Sequence, residues 1–262
     1  MKDARALVPA NATEAWLRDF DLRDLNAADP RSMWALKYRS RLARVLVALD
    51  GLPAGSVVLE VGCSQANGSL LAAERGLWAL ALDRDPAALG YAWRKHERGA
   101  FAPLCGLAET LPLAARSCDA VLAAEILEHL PDPPAALREM WRVLRPGGRL
   151  VVTTPNADFV HERLPHYGQR PPASAARPEG DAGGHLFAFS LGELRAVVAA
   201  AGFAVQTAGY EGTIVMSERL RLSRLLTPGA TTTLSRLLNR LPGGRLISYT
   251  CVVLAARGGA PG

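Results

Sequence analysis

From residue 56 onward the chain alternates short apolar runs with longer amphipathic ones. Residues 57–61, 78–82, 101–104, 120–124 and 150–154 are apolar at successive positions, the pattern of strands covered on both faces. Between them, residues 69–75, 86–98 and 134–144 have the length and turn signals of helices. Strands alternating with helices imply right-handed βαβ units around a parallel sheet. The pattern predicts an α/β doubly wound architecture.

Three regions fall outside this repeat. Residues 13–50 read as mostly helical, with Trp34, Tyr38, Leu42, Val45, Leu46 and Leu49 at helical spacing and a stop at Gly51-Leu52-Pro53. Residues 165–184 are rich in Pro, Gly, Ala and Ser and lack periodicity, which predicts a lid or a disordered loop. Between strand-like runs at 204–210 and 246–256, the spacing predicts two short amphipathic helices. One holds Leu222, Leu225 and Leu226; the other holds Leu234, Leu237, Leu238 and Leu241, with Thr227-Pro228-Gly229 as the break. Ser190 followed by Glu193 predicts a capping box, on a helix that stops at Gly202. The expected organisation is a helical cap over 1–50 and a core over 51–262. Within the core, 161–185 forms a substrate-side loop and 217–245 a basic amphipathic insertion.

Composition narrows the class. At 49% hydrophobic over 262 residues, the chain can build a packed core. Of its 30 basic residues only Lys2, Lys37 and Lys95 are lysines. Six arginines (219, 221, 224, 236, 240 and 245) face a single acid between Glu218 and Arg245, and that segment accounts for the whole net charge of +5. The remainder is neutral, which argues against a nucleic-acid binder with a basic face spread over its body. No run of about 18 apolar residues and no N-terminal leader pattern is present. Cys63, Cys105, Cys118 and Cys251 have no paired spacing, so they read as buried thiols of a reducing compartment, and the expected location is cytoplasmic.

The chemistry lies at the strand ends. The first strand runs through Glu60-Val61-Gly62-Cys63-Ser64-Gln65-Ala66-Asn67-Gly68 into a helix. The dinucleotide fingerprint wants glycines at offsets 0, 2 and 5, and Gly62, Ser64 and Asn67 meet only the first, which disfavours a nicotinamide cofactor. Asp83 tips the neighbouring strand, where a carboxylate can accept both hydroxyls of a ribose. Beyond it come Gly106-Leu107-Ala108-Glu109, then Asp119 to Asp132 with Glu125-Ile126-Leu127-Glu128-His129, and finally Thr153-Thr154-Pro155-Asn156.

In this order, over about residues 35–210, the chain resembles the class I S-adenosylmethionine-dependent methyltransferases, most specifically from Asp119 to Asn156. The resemblance implies a Rossmann-like, seven-stranded, mostly parallel sheet with N-terminal helices and a helical insertion before an antiparallel last strand. It implies S-adenosylmethionine as cofactor. Glu60, Gly62 and Ser64 would line its methionine end, and Asp83, beside Arg84, would bind its ribose. Ala108 and Glu109 would flank the adenine, and Glu125 would face the sulfonium. The chain departs from the pattern at Ser64 and Ala66, which replace glycines, and at Leu107, where many relatives have Asp.

Methyl transfer from a sulfonium is an in-line displacement, so the protein chiefly positions the acceptor and excludes water. The expected catalytic residues are His129, Glu128 and His166, with His161, His185 and Tyr210 as further candidates. If the chain turns helical after Glu125, then Glu125, Glu128 and His129 share a face and with His185 could hold a divalent ion. Base, metal ligand and structural roles stay open, and no metal ligand is assigned. The expected activity is methylation of a small molecule on a hydroxyl: a natural product, a sugar, or a quinone-like or lipid-linked precursor. The alternatives are a metal-dependent RNA 2′-O-methyltransferase and a catalytically silent cofactor-binding or docking protein. The basic insertion is expected to pack on the core or on a second subunit of a homodimer. Its other reading is weak contact with an anionic membrane or lipid-linked acceptor.

Overall fold

The computed structural model describes residues 1–169, 184–216 and 225–258. Two helices, α1 (Ala12–Arg23) and α2 (Met33–Leu46), precede strand β1 (Val57–Val61). Asn11 and Ser32 cap them by accepting the backbone N–H of Glu14 and Ala35, a device that contributes about 1 kcal/mol per helix. The expected helix over 13–50 is therefore interrupted between Arg23 and Met33.

Strand and helix then alternate: α3 (Asn67–Glu74), β2 (Trp78–Asp83), α4 (Pro86–Lys95), β3 (Ala100–Cys105), β4 (Cys118–Ala124), α5 (Pro133–Val143), β5 (Leu144–Pro155), α6 (Leu191–Ala200) and β6 (Phe203–Thr213). Helices α7 (Pro228–Leu238) and α8 (Gly244–Ile247) and strand β7 (Ser248–Arg257) follow. Asp85 and Asp132 cap α4 and α5 just before prolines whose fixed φ suits a first turn. The Ser190–Glu193 capping box opens α6 as expected. Strand β5 starts at Leu144 rather than 150, because Leu144 pairs with Cys118 across a register shift.

The seven strands lie in the order β3-β2-β1-β4-β5-β7-β6. β7 is antiparallel to both of its neighbours and the other described pairings are parallel, which is the expected fold class. Strand alternation divides the core. Leu59, Val61, Val121 and Ala123 meet Leu137, Met140 and Leu194 on one face. Val58, Ala120, Leu122 and Val252 meet Val45 and Leu49 on the other. The order reverses between β1 and β4, so a crevice opens beyond their carboxyl ends.

The last helices depart from the sequence reading. The chain breaks at Leu226 and Thr227, close to the expected place, but the second helix starts earlier than expected: the Thr227 hydroxyl accepts from Ala230 N–H and Pro228 is already the first position of α7. Thr231 and Ser235 are the buried residues, while Leu237 is 55% and Leu241 57% exposed. The small side chains let α7 approach β6, and the Asn239 amide fastens it by donating to Tyr210 O at 3.0 Å. Residues 217–224, which hold most of the other expected basic helix, and 170–183 of the substrate-side loop lie outside the described residues. Among the thiols, Cys63, Cys118 and Cys251 are buried, but Cys105 ends β3 and is exposed, contrary to expectation. No described helix is long and apolar enough to cross a membrane.

Candidate active site

The cradle after β1 is built by three left-handed residues. Gly62 has φ +68°, and a Cβ there would lie 2.5 Å from Ile126 Cδ1, so glycine is required twice over. Ser64 (φ 46°) and Ala66 (φ 54°) hold the same region without being glycine, at a cost of roughly 1 kcal/mol each. The turn is fastened by Ala66 N–H donating to Cys63 O at 2.6 Å. Ser64 N–H donates to Asp83 Oδ2 at 2.9 Å, and Asp85 N–H to Asp83 Oδ1 at 3.0 Å. Asp83 is thus held at the tip of β2, and each carboxylate oxygen keeps a lone pair to accept from a ribose hydroxyl.

Glu60, expected at the methionine end of the cofactor, ties down α3. It is buried and accepts Ser69 N–H and Oγ–H, both at 2.7 Å, while Gly68 must lack a Cβ to clear its Oε1. Burial pushes its carboxyl up, and the Ser69 bonds oppose that. Ala108 is buried and Glu109 half-buried beyond β3, Arg84 is exposed, and Leu107 is 52% exposed. These residues leave the fit to S-adenosylmethionine intact: an open glycine turn for the methionine end, a fixed carboxylate for the ribose and a small buried residue for the adenine.

The segment after β4 is a 3-10 turn, Leu127–His129, and not an α-helix. Glu125 enters it with φ 54°, which sends its side chain away from the turn that follows. Its Oε2 meets Arg41 of α2 at 3.2 Å and its Oε1 accepts Thr153 Oγ–H at 3.0 Å. Glu125 is therefore not part of the expected Glu–Glu–His face. Glu128, His129 and His185 do come together, with one ligand atom from each lying within 4.8 Å of the others. Leu186 N–H donates to Glu128 O at 2.8 Å, which draws His185 in, and the two imidazoles lie 4.6 Å apart. His129 Nδ1 contacts Gly184 O at 3.3 Å.

Glu128 is completely buried, and neither carboxylate oxygen has a hydrogen-bond partner among the described residues. His185 Nε2 is 3.9 Å from its Oε1. Burial pushes its carboxyl well above the usual range, and the charge of Glu125 adds to that. A buried carboxylate with open lone pairs beside two imidazoles fits a first-row divalent ion.

His166 is not in this group. It faces Glu193 at 3.6 Å, beside the start of α6. Its neighbour Tyr167 stacks on Phe189 with ring centroids 4.5 Å apart, a packing role.

Sequence reasoning missed a buried network beneath the cradle. Lys95 Nζ donates to Asp21 Oδ2 (2.5 Å), Asn67 Oδ1 (2.6 Å) and Gln65 O (3.1 Å). Tyr91 O–H and the Asn67 amide also donate to Asp21, each at 2.8 Å. Burial pushes the Lys95 ammonium down, and the Asp21 charge opposes that. The available signal was that two of only three lysines, Lys37 and Lys95, fall within predicted helices.

Residues 59–152, which build the cradle and the turn after β4, match the methyltransferase-domain family. The chain is 37% identical over 103 residues to a probable S-adenosylmethionine-dependent methyltransferase of Mycolicibacterium smegmatis, covering 39% of each protein. It is 36% identical over 121 residues to the demethylmenaquinone methyltransferase of Renibacterium salmoninarum, covering 46% of this chain and 48% of that one. It spans less than half the length of either relative. A solved geranyl diphosphate methyltransferase in complex with GPP and sinefungin shares the fold, with a TM-score of 0.57 at 17% identity over 84% of this chain and 78% of that one. The matched segment coincides with the crevice, where the chain is similar to S-adenosylmethionine-dependent methyltransferases, and the fold is shared with a solved methyltransferase well beyond it.

Proposed function

We propose that the protein moves a methyl group from S-adenosylmethionine to a hydroxyl of a small-molecule acceptor. The observation that carries this reading is adjacency. Ile126 packs on Gly62, so the turn that presents Glu128 and His129 abuts the cofactor cradle. When bound, the cofactor supplies an electrophilic methyl group on a sulfonium. The turn at Gly62 receives its methionine end, and Asp83 accepts its ribose hydroxyls. His129 is the group to take the acceptor's proton. A carbonyl only accepts, so a neutral imidazole that donates to Gly184 O from Nδ1 keeps its lone pair on Nε2. Arg41 holds Glu125 at the rim of the crevice.

A second reading rests on the bare carboxylate of Glu128. Glu128, His129 and His185 would hold a divalent ion, which would lower the pKa of a hydroxyl bound to it. Dialysis against EDTA separates the two, since a metal site predicts loss of turnover and a simple base predicts none.

Calorimetry with S-adenosylhomocysteine, followed by a survey of labelled methyl transfer to hydroxyl acceptors, tests the main reading. Absence of binding overturns it, and binding without turnover on any acceptor favours the silent-protein alternative. One relative, 31% identical over 112 residues, is named a tRNA methyltransferase, but the acceptor named for another, demethylmenaquinone, is a small molecule and favours that choice over RNA. The confinement of the basic surplus to 218–245 argues the same way. The outward leucines of α7, with Arg236 and Arg240 exposed beside them, suit a second copy of the chain or an anionic surface. The proposed location is the cytoplasm, in keeping with four unpaired cysteines.

A further inference from the structure

Lys37 and Arg41 stand one turn apart on α2, on the side that meets the carboxyl end of the sheet. Arg41 reaches Glu125, just beyond β4, at 3.2 Å. The Lys37 ammonium lies 4.1 Å from the ring centroid of Tyr249, at the start of β7, and 5.5 Å from that of Trp34. Tyr249 is level with the end of β5, because Asn156 N–H donates to its carbonyl at 3.0 Å. Lys37 therefore borders the same crevice as the cradle and the turn after β4.

Among the described residues it forms no ion pair. Nearby, Arg23 forks onto Asp24 at 2.6 and 2.9 Å, and Arg41 is taken by Glu125. Among the described residues no carboxylate lies within 4.0 Å of the Lys37 ammonium. Burial pushes that ammonium below its usual range. Glu125 and Asp24 oppose the shift, while Arg41 and Arg23 add to it. A cation stripped of part of its water, faced by two aromatic rings and without an ion-pair partner among the described residues, gains most from a negative group that arrives with a ligand. An ammonium suits that task because it is a compact point charge that accepts many anion geometries, whereas nearly all other cations of this chain are arginines.

We propose that Lys37 anchors an acidic group of the methyl acceptor, so that the preferred substrates are anionic hydroxy compounds. The aromatic rings of Tyr249 and Trp34 flank that group, and the acceptor's hydroxyl extends from it toward Glu125 and His129. This rests on the methyltransferase reading above, and its test is therefore a binding measurement with a separate cofactor readout.

The probes are salicylate and salicylamide, a hydroxyaryl anion and its neutral counterpart. Their binding to protein saturated with S-adenosylhomocysteine is measured by equilibrium dialysis for the wild type, Lys37→Met and Lys37→Arg. The wild type is expected to prefer salicylate by about tenfold, Lys37→Met to lose that preference, and Lys37→Arg to keep most of it. Equal binding of the two probes by the wild type, an undiminished preference in Lys37→Met, or no saturable salicylate binding would each overturn the proposal. Calorimetry with S-adenosylhomocysteine on the same samples should give equal affinities for wild type and Lys37→Met. Loss of that binding in the wild type would overturn the methyltransferase reading instead.

Discussion

Replacing Lys95 with Met tests whether the buried network beneath the cradle holds the N-terminal helices to the cofactor loop. Lys95 and Asp21 are both fully buried, and the lysine places its three donors on Asp21, Asn67 and Gln65 O. Methionine fills a similar volume but satisfies none of those acceptors. Breaking a buried ion pair by removing one partner costs about 3–5 kcal/mol. Asp21 keeps the Tyr91 hydroxyl and the Asn67 amide, which holds the cost toward the lower end. The orphaned Asn67 oxygen adds about 1 kcal/mol. The expected loss is therefore about 4 kcal/mol, or a fall in Tm of roughly 8–16 °C for a chain of this size. Urea unfolding followed by circular dichroism measures it. Calorimetry with S-adenosylhomocysteine should show weaker binding as well, because Lys95 holds Gln65 O inside the cradle. Adding Asp21→Asn removes the stranded charge, so the double variant should be at least about 1 kcal/mol more stable than the sum of the single losses implies. A loss below about 1 kcal/mol in Lys95→Met, or strict additivity in the double variant, would refute the reasoning.

Three further outcomes are expected. Gly62→Ala puts a Cβ 2.5 Å from Ile126 Cδ1 in a left-handed residue, and should cost about 2 kcal/mol or more and weaken S-adenosylhomocysteine binding. Adding Ile126→Ala should relieve the clash but not the backbone strain, and cofactor affinity equal to wild type in Gly62→Ala would contradict the geometry. Lys37→Met should be at least as stable as wild type near neutral pH. The folded protein disfavours the charged ammonium, so the wild-type penalty is present below the lowered folded pKa and fades as pH rises toward 10.5. Thermal melts across that range should show the difference shrinking. Leu237→Glu with Leu241→Glu should leave Tm nearly unchanged, because both side chains are more than half exposed, while reducing self-association or flotation with anionic vesicles. A large fall in Tm would mean that these leucines pack on the body of the protein.

What the sequence determined was whatever depends on neighbours along the chain. Apolar runs such as 57–61 and 120–124 have one way to be buried, between two layers of helices, whereas the antiparallel last strand was implied only by the family resemblance and its place between β5 and β6 was set by the fold. Caps at Asp85, Asp132 and Ser190 and the turn at Gly62 are local chemistry, legible within a few residues. So was Asp83, because the end of a strand is a fixed place in such a sheet. The tertiary structure decided whatever depends on contacts across the fold. Glu125 and Glu128 are three apart and would share a face if the chain turned helical, yet one left-handed residue and a 3-10 turn send Glu125 to Arg41 and bury Glu128 against His185. The heptad-like leucines of 234–241 fixed a stripe but not its direction, which was set by the fit of Thr231 and Ser235 against β6. Lys95 with Asp21, and Lys37 with Tyr249, are partners separated by 74 residues in the first case and drawn from opposite ends of the chain in the second. A charge buried by a distant partner leaves no periodicity or spacing in the sequence, because its energy depends on the partner's position in space alone.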